Sequence, residues 1–388
     1  MVHAIPKDFT MRTRQNHPTL KVAIVHDWLY GGGAELVVEQ LHRLYPDAPI
    51  YATFATKEWR QRLDGKVITG YLGWWPFSRL HKFLGPLRIL WYTHLKFDGY
   101  DLVISSSGAE AKGIKVPKTT PHINYCHAPT HYYWSRYDSY MKQPGFGPFD
   151  PIARVGLKLL VRPLRRWDFK AAQRPDYIIA NSTHIQQEIQ KYYKRDSTVI
   201  FPPVYFERFQ KPEHRNQARR GFLVAGRQTP YKRFDLAIAA CTKLGLPLTV
   251  VGDGPDNTRL RKLAGKTVTF LGKVSDEVIE EEFARAKALI FPGLDDFGIT
   301  PIEAMASGTP VIAYKAGGAL DYVVPGVTGE FFDKPTATSL AKTLMAYKKS
   351  GYNSAAIRAY AQRFSIETFQ KNLQEYVRAH LKEFRNNS

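Results

Sequence analysis

The chain has 388 residues, 44% hydrophobic and 23% charged, which is enough for two domains with their own cores and too apolar for a disordered or fibrous protein. Its two cysteines, Cys126 and Cys241, lie outside any metal-ligand spacing and exclude a disulfide framework. The formal charge of +20 requires an anionic partner, whether nucleic acid, anionic lipid or a phosphorylated substrate.

In chain order, the first twenty residues hold no apolar run of signal-peptide length, and no later segment holds eighteen uncharged apolar residues. A protein on the cytosolic side is expected. Residues 21–25 (KVAIV) read as a buried parallel strand. Gly31, Gly32 and Gly33 then lead into a periodic helix from Ala34. Glycines between strand and helix let a backbone approach a ligand and leave helix N–H groups for phosphate. The spacing is neither the alternating-glycine dinucleotide fingerprint nor a P-loop, so a plain turn stays open beside the phosphate loop.

Residues 74–97 (WWPFSRLHKFLGPLRILWYTHLKF) interleave Arg79, Lys82, Arg88 and Lys96 with Trp, Phe and Leu, and Leu80, Phe83, Leu84, Leu87 and Trp91 fall at helical spacing. That pattern predicts an interfacial helix, kinked or divided at Gly85-Pro86. Strands at 101–104 and 123–125 end in Ser105–Gly108 and Cys126–Pro129. In an open α/β sheet ligands bind beyond the carboxyl ends of strands, which places the glycines, the serines and His127 at a site. A structural hydrogen-bonding role for His127 is the competing reading. Arg154, Lys158, Arg162, Arg166 and Lys170 recur every four residues on one helix face, interrupted at Pro163. Together, 74–97 and 151–170 point to an anionic membrane surface, against the alternative of two solvated amphipathic helices. Specific nucleic-acid binding is not expected, because no zinc-finger spacing, RNA-recognition signature or basic tail is present.

Residues 176–193 predict a strand and a helix capped by Ser182 or Thr183. The domain changes at 199–204, and 207–220 reads as a charged linker. Strands at 222–225, 248–251, 268–271 and 288–291 then alternate with helices at 234–244, 258–263 and 276–286. Alternation in both halves implies two doubly wound sheets with a cleft between them. After the first strand of the second half, Arg227 and Lys232 stand where two cations could grip a diphosphate; otherwise they are surface charges. Gly254, in the Gly252–Pro255 turn, shapes a pocket or merely turns the chain. Residues 293–318 (GLDDFGITPIEAMASGTPVIAYKAGG) read as a loop, a helix with Pro301 in its first turn and Gly308 at its end, a strand and a glycine pair. Asp295 lies on the loop and Glu303 in the helix. A final helix spans 365–384.

The combination of GGGAE, GR with a lysine five positions on, GDGP, and an FG loop leading into PIEAMASGTPVIA resembles the retaining glycosyltransferases of family 4, with the GT-B fold. YCHAP, WDFKAAQRPDYIIANS and VIFPPV resemble the mannosyltransferase-like branch that builds bacterial surface polysaccharides. The resemblance implies two Rossmann-like domains facing across a cleft: an acceptor domain at 1–199, a nucleotide-sugar domain at 200–364, and a helix at 365–388 returning to the first. It implies Arg227 and Lys232 on the donor diphosphate, Glu303 on the ribose, and Asp295, where glutamate is usual, beside the donor sugar. It further implies sugar and phosphate contacts from Phe297, Gly298 and Ile299, and diphosphate contacts from Gly32 and Gly33. His127 is implied near donor sugar and acceptor, and the base is met by backbone around Gly272 to Val274.

The activity so implied transfers a hexose, mannose from GDP-mannose or a sugar from a UDP-linked donor, to a lipid-linked or polysaccharide acceptor at the inner face of the cell membrane. No metal and no cofactor are implied. A nucleotide-sugar epimerase or phosphorylase of the same fold, and a non-catalytic basic membrane- or nucleic-acid-binding protein, are the competing readings.

Overall fold

A computed structural model describes residues 20–75, 77–80, 84–142, 147–209, 211, 218–347 and 351–387. The chain divides into two compact units, one of Met1–Asn181, Ile185–Pro202 and Gln370–Ser388, the other of Ser182–His184 and Pro203–Phe369.

The first unit holds a parallel sheet of β1 (Val22–His26), β2 (Ile50–Ala52), β3 (Val67–Ile68), β4 (Leu102–Ser107), β5 (His122–Cys126), β6 (Tyr177–Ala180) and β7 (Thr198–Val199). Their order is β3-β2-β1-β4-β5-β6-β7. β1, β4 and β5 are buried along their whole length, as strands covered on both faces must be, hence their unbroken apolar or small-residue runs. The order reverses between β1 and β4, which pair from Val22↔Leu102 to His26↔Ser106.

The second unit repeats the plan with β8 (Phe222–Ala225), β9 (Leu248–Val251), β10 (Val268–Gly272), β11 (Ala288–Phe291), β12 (Val311–Tyr314) and β13 (Gly329–Phe332), ordered β10-β9-β8-β11-β12-β13 and parallel. Phe222, Val224, Leu236, Ile238, Val250, Ile290 and Ile312 form its core between sheet and helices. Two doubly wound α/β sheets are thus present, as the strand-helix alternation requires.

The structure departs from the expected elements in four places. Residues 74–97 are divided at Gly85-Pro86 as expected, into a short helix Phe77–Leu80 and the helix Gly85–His94 with Pro86 in its first turn, but the second is not interfacial. The apolar side of the second packs inward, Trp91 and Tyr92 being core residues with Leu84 and Leu87 against them. Arg88 is no surface cation either; it is buried, donating to Glu110 from Nη2 at 2.8 Å and from Nε at 3.1 Å. Lys82 and the Arg79 side chain lie outside the described residues. Pro163 does not interrupt its helix, which runs unbroken over 23 residues from Asp150 to Ala172.

The 207–220 stretch is in part not a linker. Phe209 is buried, and Arg208 and Lys211 ion-pair with Glu280 on the helix Asp276–Arg285. Ser182, expected as a helix cap, also donates from Oγ to the Asp296 carbonyl at 2.6 Å, and the Thr183 N–H donates to the Asp321 carboxylate at 3.0 Å.

The last helix, Ile366–Asn387, opens with Ser365 Oγ accepting the Thr368 N–H at 3.2 Å. From Gln370 onward it belongs to the first unit, where Gln370 bonds Gln40 at 2.8 Å and His380 packs on Tyr177. Among the described residues no helix is long and apolar enough to cross a membrane.

Candidate functional site

The second unit reverses its strand order between β8 and β11, the position where an open α/β sheet leaves a crevice at its carboxyl edge. The chain leaves β8 through Gly226, at φ 131°. Exposed Arg227 follows, then a tight turn Pro230–Lys232 and Arg233 in the left-handed region at φ 53°, before the helix Phe234–Leu244. That sequence of turns holds Lys232 half-buried over the end of β11, its ammonium 5.8 Å from the Phe291 ring centre.

Lys232 forms an ion pair with the buried carboxylate of Asp295. Two of the predicted site residues, 63 positions apart, are therefore in direct contact. An ammonium has three donors, so one bond to Asp295 leaves capacity for a phosphate oxygen.

The Asp295 loop is set by glycines at close approaches. A Cβ on Gly293 would stand 2.9 Å from the Lys232 Cα, and one on Gly318 2.3 Å from the Phe297 Cα. Gly318 N–H donates to the Asp295 carbonyl at 2.9 Å. The Phe297 ring is buried edge-on against Tyr322, with Phe364 at 5.7 Å, so only the backbone of this predicted site residue remains to meet a ligand. Gly298 precedes the helix Ile299–Ala306 at φ 91°, and a Cβ there would stand 2.8 Å from Phe291 and 2.9 Å from the Tyr322 hydroxyl. Ile299 starts the helix and Glu303 is half-buried in its second turn. The helix starts four residues beyond Asp295, and a helix start carries a partial positive charge and N–H groups without an intrahelical acceptor.

Gly254 meets the β8 loop from β9: a Cβ on it would stand 2.4 Å from the Gln228 carbonyl oxygen. Buried Gln228, which the sequence did not single out, joins the two loops. Its backbone N–H donates to the Asp253 carbonyl at 2.9 Å, its Nε2 to the Gly252 carbonyl at 2.8 Å, and its Oε1 accepts from Asn257 at 2.8 Å. Gly272, at φ 69°, accepts from Gly252 N–H at 2.7 Å and so continues the same edge.

In the first unit the reversal point is already filled by Asp27. Its buried carboxylate accepts N–H bonds from Gly108 (2.7 Å), Ala109 (2.9 Å) and Ala111 (2.8 Å). Asp27 directly follows the first strand, a position at which an acid could have been flagged. Gly32 and Gly33 are exposed at the start of the helix Gly33–Leu44, while Glu35 in its first turn accepts the N–H groups of Tyr30 (3.2 Å) and Gly31 (3.0 Å).

His127 follows β5 half-buried, with Nε2 2.7 Å from Ser106 Oγ, its N–H donating to the Ser107 carbonyl and its own carbonyl accepting from Asn181. The loop beyond it is tied down by a buried acid. Asp168 accepts from Thr130 (2.8 Å), Trp134 (2.7 Å) and Tyr193 (2.8 Å) and ion-pairs with buried Lys112 at 2.7 Å. The WDF motif thus supplies a structural anchor for the His127 loop. His122, on the same strand, is held neutral, burial and the nearby Arg174 and Arg195 pushing its pKa down to about 3.

Arg227, Lys232, Gly254, Asp295, Phe297, Gly298, Ile299 and Glu303 all fall at the carboxyl edge of the second sheet, and Gly32, Gly33 and His127 at that of the first. Among the described residues no three His, Cys, Asp or Glu side chains converge as a metal site.

Residues 31–208 match the family described as Glycosyltransferase Family 4, and residues 205–364 match Glycosyl transferases group 1. A GDP-mannose-dependent alpha-mannosyltransferase of Mycolicibacterium smegmatis is 33% identical over 147 residues, 37% of this chain and 38% of that protein. Alpha-1,3/1,6-mannosyltransferase ALG2 of Dictyostelium discoideum is 24% identical over 92% of this chain and 98% of its own. A D-inositol 3-phosphate glycosyltransferase of Streptomyces avermitilis is 29% identical over 48% of this chain; the chain spans about half the length, 47%, of that relative. Anabaena Alr3699/HepE, solved in complex with UDP, superposes with a TM-score of 0.66 at 19% identity, over 93% of this chain and 100% of its own, a likeness of fold.

Proposed function

Because the chain belongs to the GT-B glycosyltransferases, its halves matched in turn by the family 4 and group 1 domains, we propose that it transfers mannose from GDP-mannose, with retention, onto a lipid-linked or polysaccharide acceptor at the inner face of the cell membrane. The observation that carries this reading is the Lys232–Asp295 pair, on the loop that leads into the helix Ile299–Ala306. The GDP-mannose-dependent relative supports the choice of donor. The UDP complex of the Anabaena protein supports a UDP-linked donor as the second reading.

In the proposed reaction the acceptor hydroxyl attacks the anomeric carbon on the face from which the diphosphate leaves. The bond from that carbon to the phosphate oxygen breaks, and the hydroxyl proton passes to a phosphate oxygen. Arg227, Lys232 and the N–H groups at Gly298 and Ile299 take up the charge that develops on the leaving group, the kind of preorganised stabilisation that contributes most to such rates. Glu303 holds the ribose and Asp295 a sugar hydroxyl.

A thermal-shift panel of GDP, UDP and ADP tests the donor. The proposed base stabilises the protein by about 2.7 kcal/mol at a hundredfold its Kd, and no response to any of the three overturns the reading. Acceptor-dependent release of GDP from GDP-mannose separates transfer from epimerisation. The reaction is proposed to need no metal, so turnover in EDTA stays within about twofold of the control.

A further inference from the structure

We propose that the outer face of the helix Asp150–Ala172 docks on an anionic lipid bilayer, its apolar stripe entering the boundary between headgroups and acyl chains and its cations meeting lipid phosphates. This sharpens the membrane location proposed above and rests on it.

The stripe is a row of large aliphatic side chains facing solvent. Ile152 is 71% exposed, Val155 60% and Leu159 72%, with Leu160 beside them at 49%. Positions 152, 155 and 159 fall on one side of a helix. On this helix Arg154, Lys158, Arg162 and Arg165 run along one flank of the apolar row, and Arg166 and Lys170 continue its line towards the C-terminal end. Arg154, Lys158, Arg162, Arg165, Arg166 and Lys170 supply six cations along the helix. Of its two acids, Asp168 is sealed in the ion pair with Lys112, which leaves Asp150 at the helix start. An exposed apolar row flanked by cations is the composition of helices that lie in a membrane interface.

A second feature lies on the same helix. An open surface depression of about 280 Å³ is lined by Trp134, Arg165, Arg166, Phe169 and Lys170. Arg165 is oriented by its bond to the Tyr133 carbonyl and stands over the Trp134 ring at 5.4 Å. The depression exposes only apolar atoms, the stems of Arg165, Arg166 and Lys170 beside the Trp134 and Phe169 rings, so it suits an acyl chain with the cationic ends left at its rim. Trp74 and Trp75 of the same unit, 69% and 75% exposed, are residues favoured at that interface.

Charge selects the occupant. A second copy of this chain would set the six cations of one helix against those of another, and nucleic acid would be met by aliphatic side chains with no base-stacking role.

The test is co-sedimentation with vesicles of phosphatidylcholine, with and without phosphatidylglycerol. The wild-type chain is expected to pellet with the anionic vesicles alone, less so as salt rises. Ile152→Asp/Leu159→Asp is expected to lose vesicle binding more than tenfold, and each of Arg162→Gln and Arg166→Gln to weaken it about fivefold. Ile152→Ser/Leu159→Ser serves if the aspartates disturb folding, which circular dichroism reads. Nucleoside-diphosphate stabilisation is measured on the same samples and is expected to be unchanged, so failure of the docking idea and failure of the transferase reading are told apart. Vesicle binding by the double variant equal to wild type overturns the proposal. So does a wild-type chain that ignores anionic vesicles, or one that forms dimers which Leu159→Asp dissociates.

Discussion

Lys232 answers to two anions, the Asp295 carboxylate it holds and the diphosphate proposed for the same ammonium. Lys232→Ala is expected to lower transfer roughly 10²–10³-fold, the range for removing one donor from such a site, while Lys232→Arg recovers part of it; steady-state kinetics with GDP-mannose reads both. Equal turnover in wild type and Lys232→Ala would remove the residue from the site. Arg227, Lys232 and Asp295 stand out as candidates in the sequence because each sits just past a strand end marked by glycine or proline. The partners of Asp27 could not. Its N–H donors begin 81 positions later at Gly108, and no local pattern reports a bond that the sheet order creates. Gln228 escaped for the same reason, since a buried glutamine in a loop has no periodicity to betray it.

Among the elements, the helix Ile299–Ala306 depends on the backbone before it. Gly298→Ala is expected to cost about 1–3 kcal/mol, from a strained left-handed φ and from contact with Phe291. Denaturant midpoints measure it, and an unchanged midpoint would contradict the geometry at φ 91°. The helix Gly85–His94 shows why periodicity alone misassigned its surroundings. An amphipathic pattern states that one face is apolar and does not state whether a core or a lipid surface covers it. Arg88 looked like a surface cation because its partner Glu110 lies 22 positions away. The helix Asp150–Ala172 has a similar pattern and the opposite outcome, its aliphatic residues facing out. Pro163 leaves that helix unbroken, and a local rule could not anticipate it.

At the scale of the whole chain, the two parallel sheets were legible from the apolar runs and the glycine turns between them. β2, β3 and β7, of three, two and two residues, are too short to register as runs. The units are not contiguous in sequence, since Gln370–Ser388 belongs to the first. Leu373 and Val377 in that segment are buried. A chain ending at residue 369 is therefore expected to lose about 1.5–3 kcal/mol for each buried side chain removed and to aggregate or melt at lower temperature. Calorimetry of the truncated chain decides it, and an unshifted transition would mean that the segment contributes nothing to the unit.

The carboxylate of Asp27 makes the two sheets unequal partners. One reversal point carries its own anion as part of the chain, and the other is the one proposed to receive the donor. Cutting that tether with Asp27→Gly leaves the N–H groups of Gly108, Ala109 and Ala111 without their acceptor, and a small carboxylate from solution becomes a spare part for the fold. Added formate or acetate is then expected to raise the melting temperature of the variant and not that of the wild type; equal responses would show that the three donors do not form a seat.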